Sequence, residues 1–187
     1  MDKSFEKSII EHGAATLAGI KTANLFNYCF ASEWSCKRTL QEANSVLNGK
    51  GVYLELLSHN RDFYLLLIYR RNMLHRVLRD PNVAEFLEEY GYRDSKDTDR
   101  ILGQLKRRLI ISGRFPHEIG VFLGYPIEDI KGFIRNKGKN CLICGLWKVY
   151  SDPLKAEEYF RKIDRCNRAY MNTYRKGVGL ADMTVAA

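Results

Sequence analysis

Cys141 and Cys144 stand three apart in "KNCLICGLWKVY". Two thiols at that spacing supply half of a tetrahedral zinc site, or a dithiol that closes to a disulfide. The other half is missing: no second Cys-x-x-Cys and no His-x-x-x-His occurs. If "NCLICG" is a strand, residues three apart point to opposite faces, which opposes chelation. The redox version wants its first thiol at a helix N-terminus, and no helix is read there. A structural role is the reading preferred. Cys141, Cys144 and His117 are kept as weak metal candidates.

His117 and Glu118 begin "HEIGV". Val121 occupies the place where a zinc protease needs its second His, so that chemistry has no support. His117 could cap a helix, bind an anion, or ligate a metal or haem. No Gly-x-Ser-x-Gly, phosphate-binding Walker loop or Gly-x-Gly-x-x-Gly is present. The four histidines, at 12, 59, 75 and 117, are too scattered to assemble an acid–base constellation. Whether the protein is an enzyme is left open.

A second cluster lies in "HGAATLAGIKTANLF". Lys21 follows a small-residue stretch and precedes an expected helix start, with Asn24 just beyond. Close backbone approach and a cation at a helix start make an anion site; tight packing of a buried strand explains the same residues. "RNKGKN" adds Asn140 and its basic neighbours around a glycine turn. Arg70, closing an apolar strand, could point to the same end of the sheet. Tyr125, Trp147 and Lys148 bring aromatic and cationic groups that together can hold a base, a flavin or a porphyrin edge. The expected ligand-binding set is therefore Lys21, Asn24, Arg70, His117, Glu118, Tyr125, Asn140, Trp147 and Lys148. Its ligand is a small anionic cofactor or metabolite, with haem, flavin and metal all open.

Thirty Lys and Arg against 22 Asp and Glu leave a net charge of +8. That suits an anionic cofactor, an acidic protein or nucleic acid. No recognised nucleic-acid motif appears and acids are interleaved with bases, so nucleic acid ranks below the other two. The longest apolar run, "FYLLLIY", is too short to span a bilayer, which argues against a membrane partner. The N-terminal residues carry acids and no signal-peptide pattern, and the five cysteines are odd in number. Both point to a cytoplasmic protein with reduced thiols.

These residues must be positioned by a fold, and the pattern predicts α+β. A short helix is expected over 4–13, capped by Ser4 and ended by Gly13. A buried strand over 14–21 and a helical turn capped by Thr22 over 23–30 follow. Ser32 caps the next helix. "VYLELLSH" and "FYLLLIYR", joined by "NRD", read as a hairpin whose second strand is central and covered on both faces. Helices follow over 71–92, with Asp80 and Pro81 starting the second, and over 94–110. A helix pair spans 115–138, with Pro126 at the first position of its second member. "NCLICGLWKVY" reads as one strand. A long helix starts at Asp152 and Pro153, and a loose tail covers 177–187. The whole is one domain, its core at about 4–175, with a small, mainly antiparallel sheet of 3–4 strands under several helices.

"HGAATLAGIKTANLF", a strand ending in "YR", and "FPHEIGVFLGYPIEDIKGFIRNKGKNCLICGLWKVY" together resemble a family catalogued as domain of unknown function 3793. The resemblance spans roughly residues 4 to 175. Thr22 stands where Pro is common in the family. The resemblance implies anaerobic bacteria and genes for flavodoxins and ferrous-iron uptake nearby. It therefore implies a role in iron, haem or low-potential redox metabolism, or an adaptor for an acidic redox protein such as a flavodoxin. It carries over no activity.

Overall fold

The computed structural model describes residues 1–61, 63–93, 97–111 and 115–186. The turn residue Asp62 and the expected helix start at 94–96 lie outside the described residues. Three strands form the main sheet: β1 (Ala23–Tyr28), β2 (Val52–His59) and β3 (Tyr64–Arg70). Their order is β1-β3-β2 and every pairing is antiparallel. A second, two-stranded ribbon joins β4 (Ile143–Cys144) to β5 (Lys148–Val149). Helices are α1 (Lys3–Leu17), α2 (Glu33–Leu47), α3 (Arg71–Leu78), α4 (Pro81–Glu89), α5 (Thr98–Ile111), α6 (Ile119–Phe122), α7 (Ile127–Arg135), α8 (Pro153–Arg175) and α9 (Leu180–Met183). This is an α+β protein. No described helix is long and apolar enough to cross a membrane.

β3 is central because its side chains are apolar on both faces. Leu67 and Tyr69 enter one core with Phe86, Ile101, Leu105 and Phe122, from α4, α5 and α6. Leu66 and Ile68 enter the other with Phe5, Ile9 and Leu47, from α1 and α2. Alternation along a strand buried on both sides produces this two-layered core. Ser32, Asp80 and Asp152 each accept a backbone N–H at the start of α2, α4 and α8, as their positions in the sequence imply.

Three expectations fail. The helix expected to stop at Gly13 runs to Leu17, so no strand occupies 14–21. Gly13 is interior because α1 lies flat on β3: a Cβ there would meet Ile68 Cδ1 at 2.8 Å. Close packing, not termination, is why the position is Gly. "ANLFNY" is β1 rather than a helical turn. Ala23 belongs to one core and Phe26 to the other, the two-residue alternation of a strand. Thr22 caps no helix; its carbonyl accepts the Arg70 N–H at 2.9 Å and extends the ladder. Last, the tail is packed rather than loose. Leu180 and Met183 are buried in the α1–α2 core, and the Leu180 N–H donates to Glu6 at 2.8 Å.

Candidate functional site

The block from Phe115 to Tyr150 folds into a helix pair and a hairpin that face each other. Gly120 in α6 packs against Ile130 in α7, which sets the two helices close together. Pro126 precedes α7 as its cap residue rather than its first member, and Glu128 and Asp129 sit in the first turn. The expected single strand over 141–150 is a ribbon instead. Its reversal at Gly145–Trp147 is closed by the Gly145 N–H donating to the Trp147 carbonyl at 3.0 Å.

Asp129 ties these pieces together. It is 2% exposed. Its Oδ2 accepts the indole N–H of Trp147 at 2.7 Å. Its Oδ1 accepts the N–H of Tyr150 at 2.7 Å, the N–H of Ser151 at 2.8 Å and the Ser151 hydroxyl at 2.8 Å. A buried carboxylate is tolerated because four donors converge on it. It fixes the ribbon and the start of α8 against α7.

Trp147, held in this way, stacks on Tyr125 with centroids 4.7 Å apart. The edge of Phe160 meets it at 4.7 Å and Tyr159 at 5.8 Å. On one side of this cluster lies a cavity of about 380 Å³. Its wall is mainly apolar and aromatic, with Leu123, Tyr125, Phe133, Leu146 and Trp147 prominent; His117, Cys144, Lys148 and the already saturated carboxylate of Asp129 are polar side chains on it. The His117 ring meets the edge of Phe133 at 5.1 Å. Lys148 donates to the Gly138 carbonyl at 2.7 Å and keeps its remaining protons for other acceptors.

Lys21 lies behind the wall rather than in it. Its ammonium is 5.4 Å from the centroid of the Tyr125 ring and donates to the side chain of Asn24, which in turn donates to the His12 carbonyl. The lysine is 6% exposed. Burial lowers its pKa from the ordinary 10.5 to about 8. Tyr159, whose hydroxyl donates to the Ile20 carbonyl at 3.1 Å, is pushed up to about 12, chiefly by burial. The two segments singled out from the sequence thus meet at Tyr125, yet only the second opens onto the cavity.

Besides Lys21, four more expected ligand residues lie away from the cavity. Arg70 is buried on the α1 side of the sheet. It donates to the carbonyls of Thr16 at 2.6 Å, Leu17 at 2.5 Å and Val185 at 2.7 Å. The negative end of the α1 dipole and the tail hold this cation, so it is a structural clamp. Glu118 is buried toward α5, where it accepts from Arg108 at 2.6 Å and Tyr92 at 3.3 Å. Asn140 takes a left-handed turn conformation, φ 56°, and borders a separate groove with Lys131, Arg135 and Tyr150. Asn24 is engaged with Lys21 as described. His117, Tyr125, Trp147 and Lys148 are the four that come together.

Sequence reasoning missed Asp129, Phe133, Leu123 and Leu146. Asp129 carries a signal, an acid in the first helical turn, but the helix dipole alone accounts for an acid there. Nothing in the sequence shows that its partners lie 18 to 22 residues on. Among the described residues, no three His, Cys, Asp or Glu side chains converge as a metal site.

A small α+β scaffold carrying an aromatic cavity, with an imidazole, a thiol, an ammonium and a hydrogen-bonded carboxylate on its wall, is the class of protein defined here. The family model described as Protein of unknown function (DUF3793) matches residues 9–184, and the chain belongs to that family. No curated protein and no solved structure matches it.

Proposed function

We propose that the protein binds a small, flat, largely apolar molecule with an anionic group in the cavity between α6, α7 and the β4–β5 ribbon. The observation that carries this reading is the cavity wall itself. A volume of about 380 Å³ falls in the range of small-molecule sites, roughly 300–1,000 Å³. Tyr125, Trp147 and Phe133 offer ring faces and edges for stacking. His117 and Lys148 supply donors for an anion. A flavin or a porphyrin edge has this chemistry, and so do smaller aromatic acids. A role in iron, haem or low-potential redox metabolism belongs to the same proposal and rests on the gene neighbourhood that the family resemblance implies, not on the cavity.

A second reading, an adaptor for an acidic protein, is favoured by the apolar residues near the mouth. Phe115 and Leu146 are 53% and 44% exposed, and the net charge is +8. Exposed apolar residues beside basic ones suit a docking surface. A nucleic-acid role has less support, because Arg38, Arg71, Lys106, Arg161 and Arg168 are each paired with an acid.

The cavity reading is tested on protein purified without oxygen. Native mass spectrometry asks whether a molecule travels with it. A Trp34→Phe variant then leaves Trp147 as the sole tryptophan, because the chain has two. Flavin mononucleotide, haemin and anilinonaphthalene sulfonate are titrated against its emission. Saturable 1:1 quenching by at least one probe, weakened by Lys148→Ala, is expected. A clean apo mass with no quenching by any of the three overturns the reading.

A further inference from the structure

We propose that the anionic group taken by this cavity is a phosphate monoester, so that the ligand is a flat ring carrying a phosphate rather than a carboxylate. The inference rests on the cavity reading above and names the ligand class within it.

The two ends of the cavity differ in charge. Phe133 is on the wall with His117 and Lys148, and the polar groups gather round its ring. The His117 ring is 5.1 Å from it and the Lys148 ammonium 6.0 Å. A Cβ on Gly138 would stand 3.2 Å from the same ring and 3.8 Å from that ammonium. Gly138 therefore brings its turn against this end of the wall. Lys137, Gly138 and Asn140 in the turn are left-handed, at φ 51°, 72° and 56°. The Lys148 ammonium is anchored there by the Gly138 carbonyl at 2.7 Å, and the Tyr150 hydroxyl ties down the Lys139 carbonyl at 3.0 Å. The Trp147 end is unsuited to an anion. Asp129 is also on the wall, with its carboxylate bonded to the Trp147 indole. Its oxygens are satisfied, but its charge remains and repels a second anion. Trp147 and Tyr125 thus take the ring, and the anion falls at Phe133.

The cations there exceed what a carboxylate needs. From Lys131 to Tyr150 the chain carries Lys131, Arg135, Lys137, Lys139 and Lys148 and no acid. Lys137 and Lys139 flank the carbonyl that Lys148 bonds and are exposed. Neither forms an ion pair with a described residue. Lys148 alone balances the single charge of a carboxylate. A phosphate monoester carries a charge of about −1.5 to −2 near neutral pH and has three acceptor oxygens. It uses the remaining protons of Lys148, the His117 ring and the field of the two neighbouring lysines.

The kind of cation agrees. The planar fork that grips a carboxylate through two parallel bonds belongs to arginine, and among the described residues no arginine lines the cavity. Lysine binds phosphate as a point charge.

The full-length protein is titrated by calorimetry at about pH 8, where the ester is doubly ionised, with 1-naphthyl phosphate, 1-naphthoate and 1-naphthol. The three share one ring system and differ in charge. The phosphate is expected to bind roughly tenfold tighter than the carboxylate. It should shift the indole N–H resonance of Trp147 in a nitrogen-15 correlation spectrum and leave that of Trp34, the second tryptophan. In a Lys137→Gln/Lys139→Gln variant, shown by circular dichroism to be folded, the preference should shrink towards parity with no change for 1-naphthol. Equal binding of phosphate and carboxylate overturns the inference and leaves the cavity reading standing. So does a phosphate preference that the double variant keeps in full. Displacement of 1-naphthyl phosphate by an equal concentration of inorganic phosphate, or an unmoved Trp147 resonance, overturns it too, because the ring then contributes nothing in the cavity. Binding of none of the three also overturns it; the quenching titration of the Trp34→Phe variant decides separately whether the cavity reading falls with it.

Discussion

Lys21→Met separates the electrostatics of the buried ammonium from its packing. Met keeps most of the stem and removes the charge. The folded-state pKa is about 8 against an ordinary 10.5. Below pH 8 both folded and unfolded chains hold the proton, and folding bears the full cost of burying the charge. Between about pH 8 and 10.5 the folded protein releases the proton while the unfolded chain keeps it, so wild-type stability rises with pH across that window. At about 1.4 kcal/mol per tenfold change in proton affinity, the whole window is worth about 3 kcal/mol, most of it reached by pH 10. The variant lacks this term. Its stability minus that of the wild type should therefore fall by about 2–3 kcal/mol from pH 7 to pH 10. Using the difference cancels the cysteines and tyrosines common to both proteins. A constant offset is expected as well, because Asn24 loses its donor. Urea unfolding followed by circular dichroism at half-unit pH steps measures the difference. A difference that stays flat within about 0.5 kcal/mol from pH 7 to 10 would refute the claim that Lys21 is held in a desolvated site.

Two further substitutions test the frame of the cavity. Asp129→Ala strands the Trp147 indole and the Tyr150 and Ser151 amides; it should cost about 3–5 kcal/mol in urea unfolding, with Asp129→Asn costing clearly less because it keeps an acceptor. Gly132→Ala sets two effects against each other. Helix propensity alone predicts a gain of about 1 kcal/mol. The added Cβ would lie 2.5 Å from Tyr150 Cβ, so overpacking predicts a loss of about 1–3 kcal/mol. A lowered melting temperature by calorimetry is expected, and a raised one would show that Tyr150 yields easily.

What could be read from the sequence alone was local. The caps at Ser32, Asp80 and Asp152, the β2–β3 hairpin and the doubly covered central strand follow from neighbours within a few residues. The cavity block was legible as a dense mix of His, aromatic and basic residues, and four of the nine expected ligand residues meet there. Tertiary structure decided the rest. Gly13 looks like a helix end, and only the approach of α1 to Ile68 makes it an interior position. "ANLFNY" is too short for its alternation to outweigh a nearby cap signal until β3 offers it a ladder. Arg70 and Glu118 looked like ligands because charge near a pocket reads as function; their partners are carbonyls 53 to 115 residues away for Arg70 and Arg108 for Glu118. Sequence patterns encode periodicity and local hydrogen bonding, which act over one or two turns of chain. The side of the sheet to which a buried charge turns depends on partners brought near only by the whole fold.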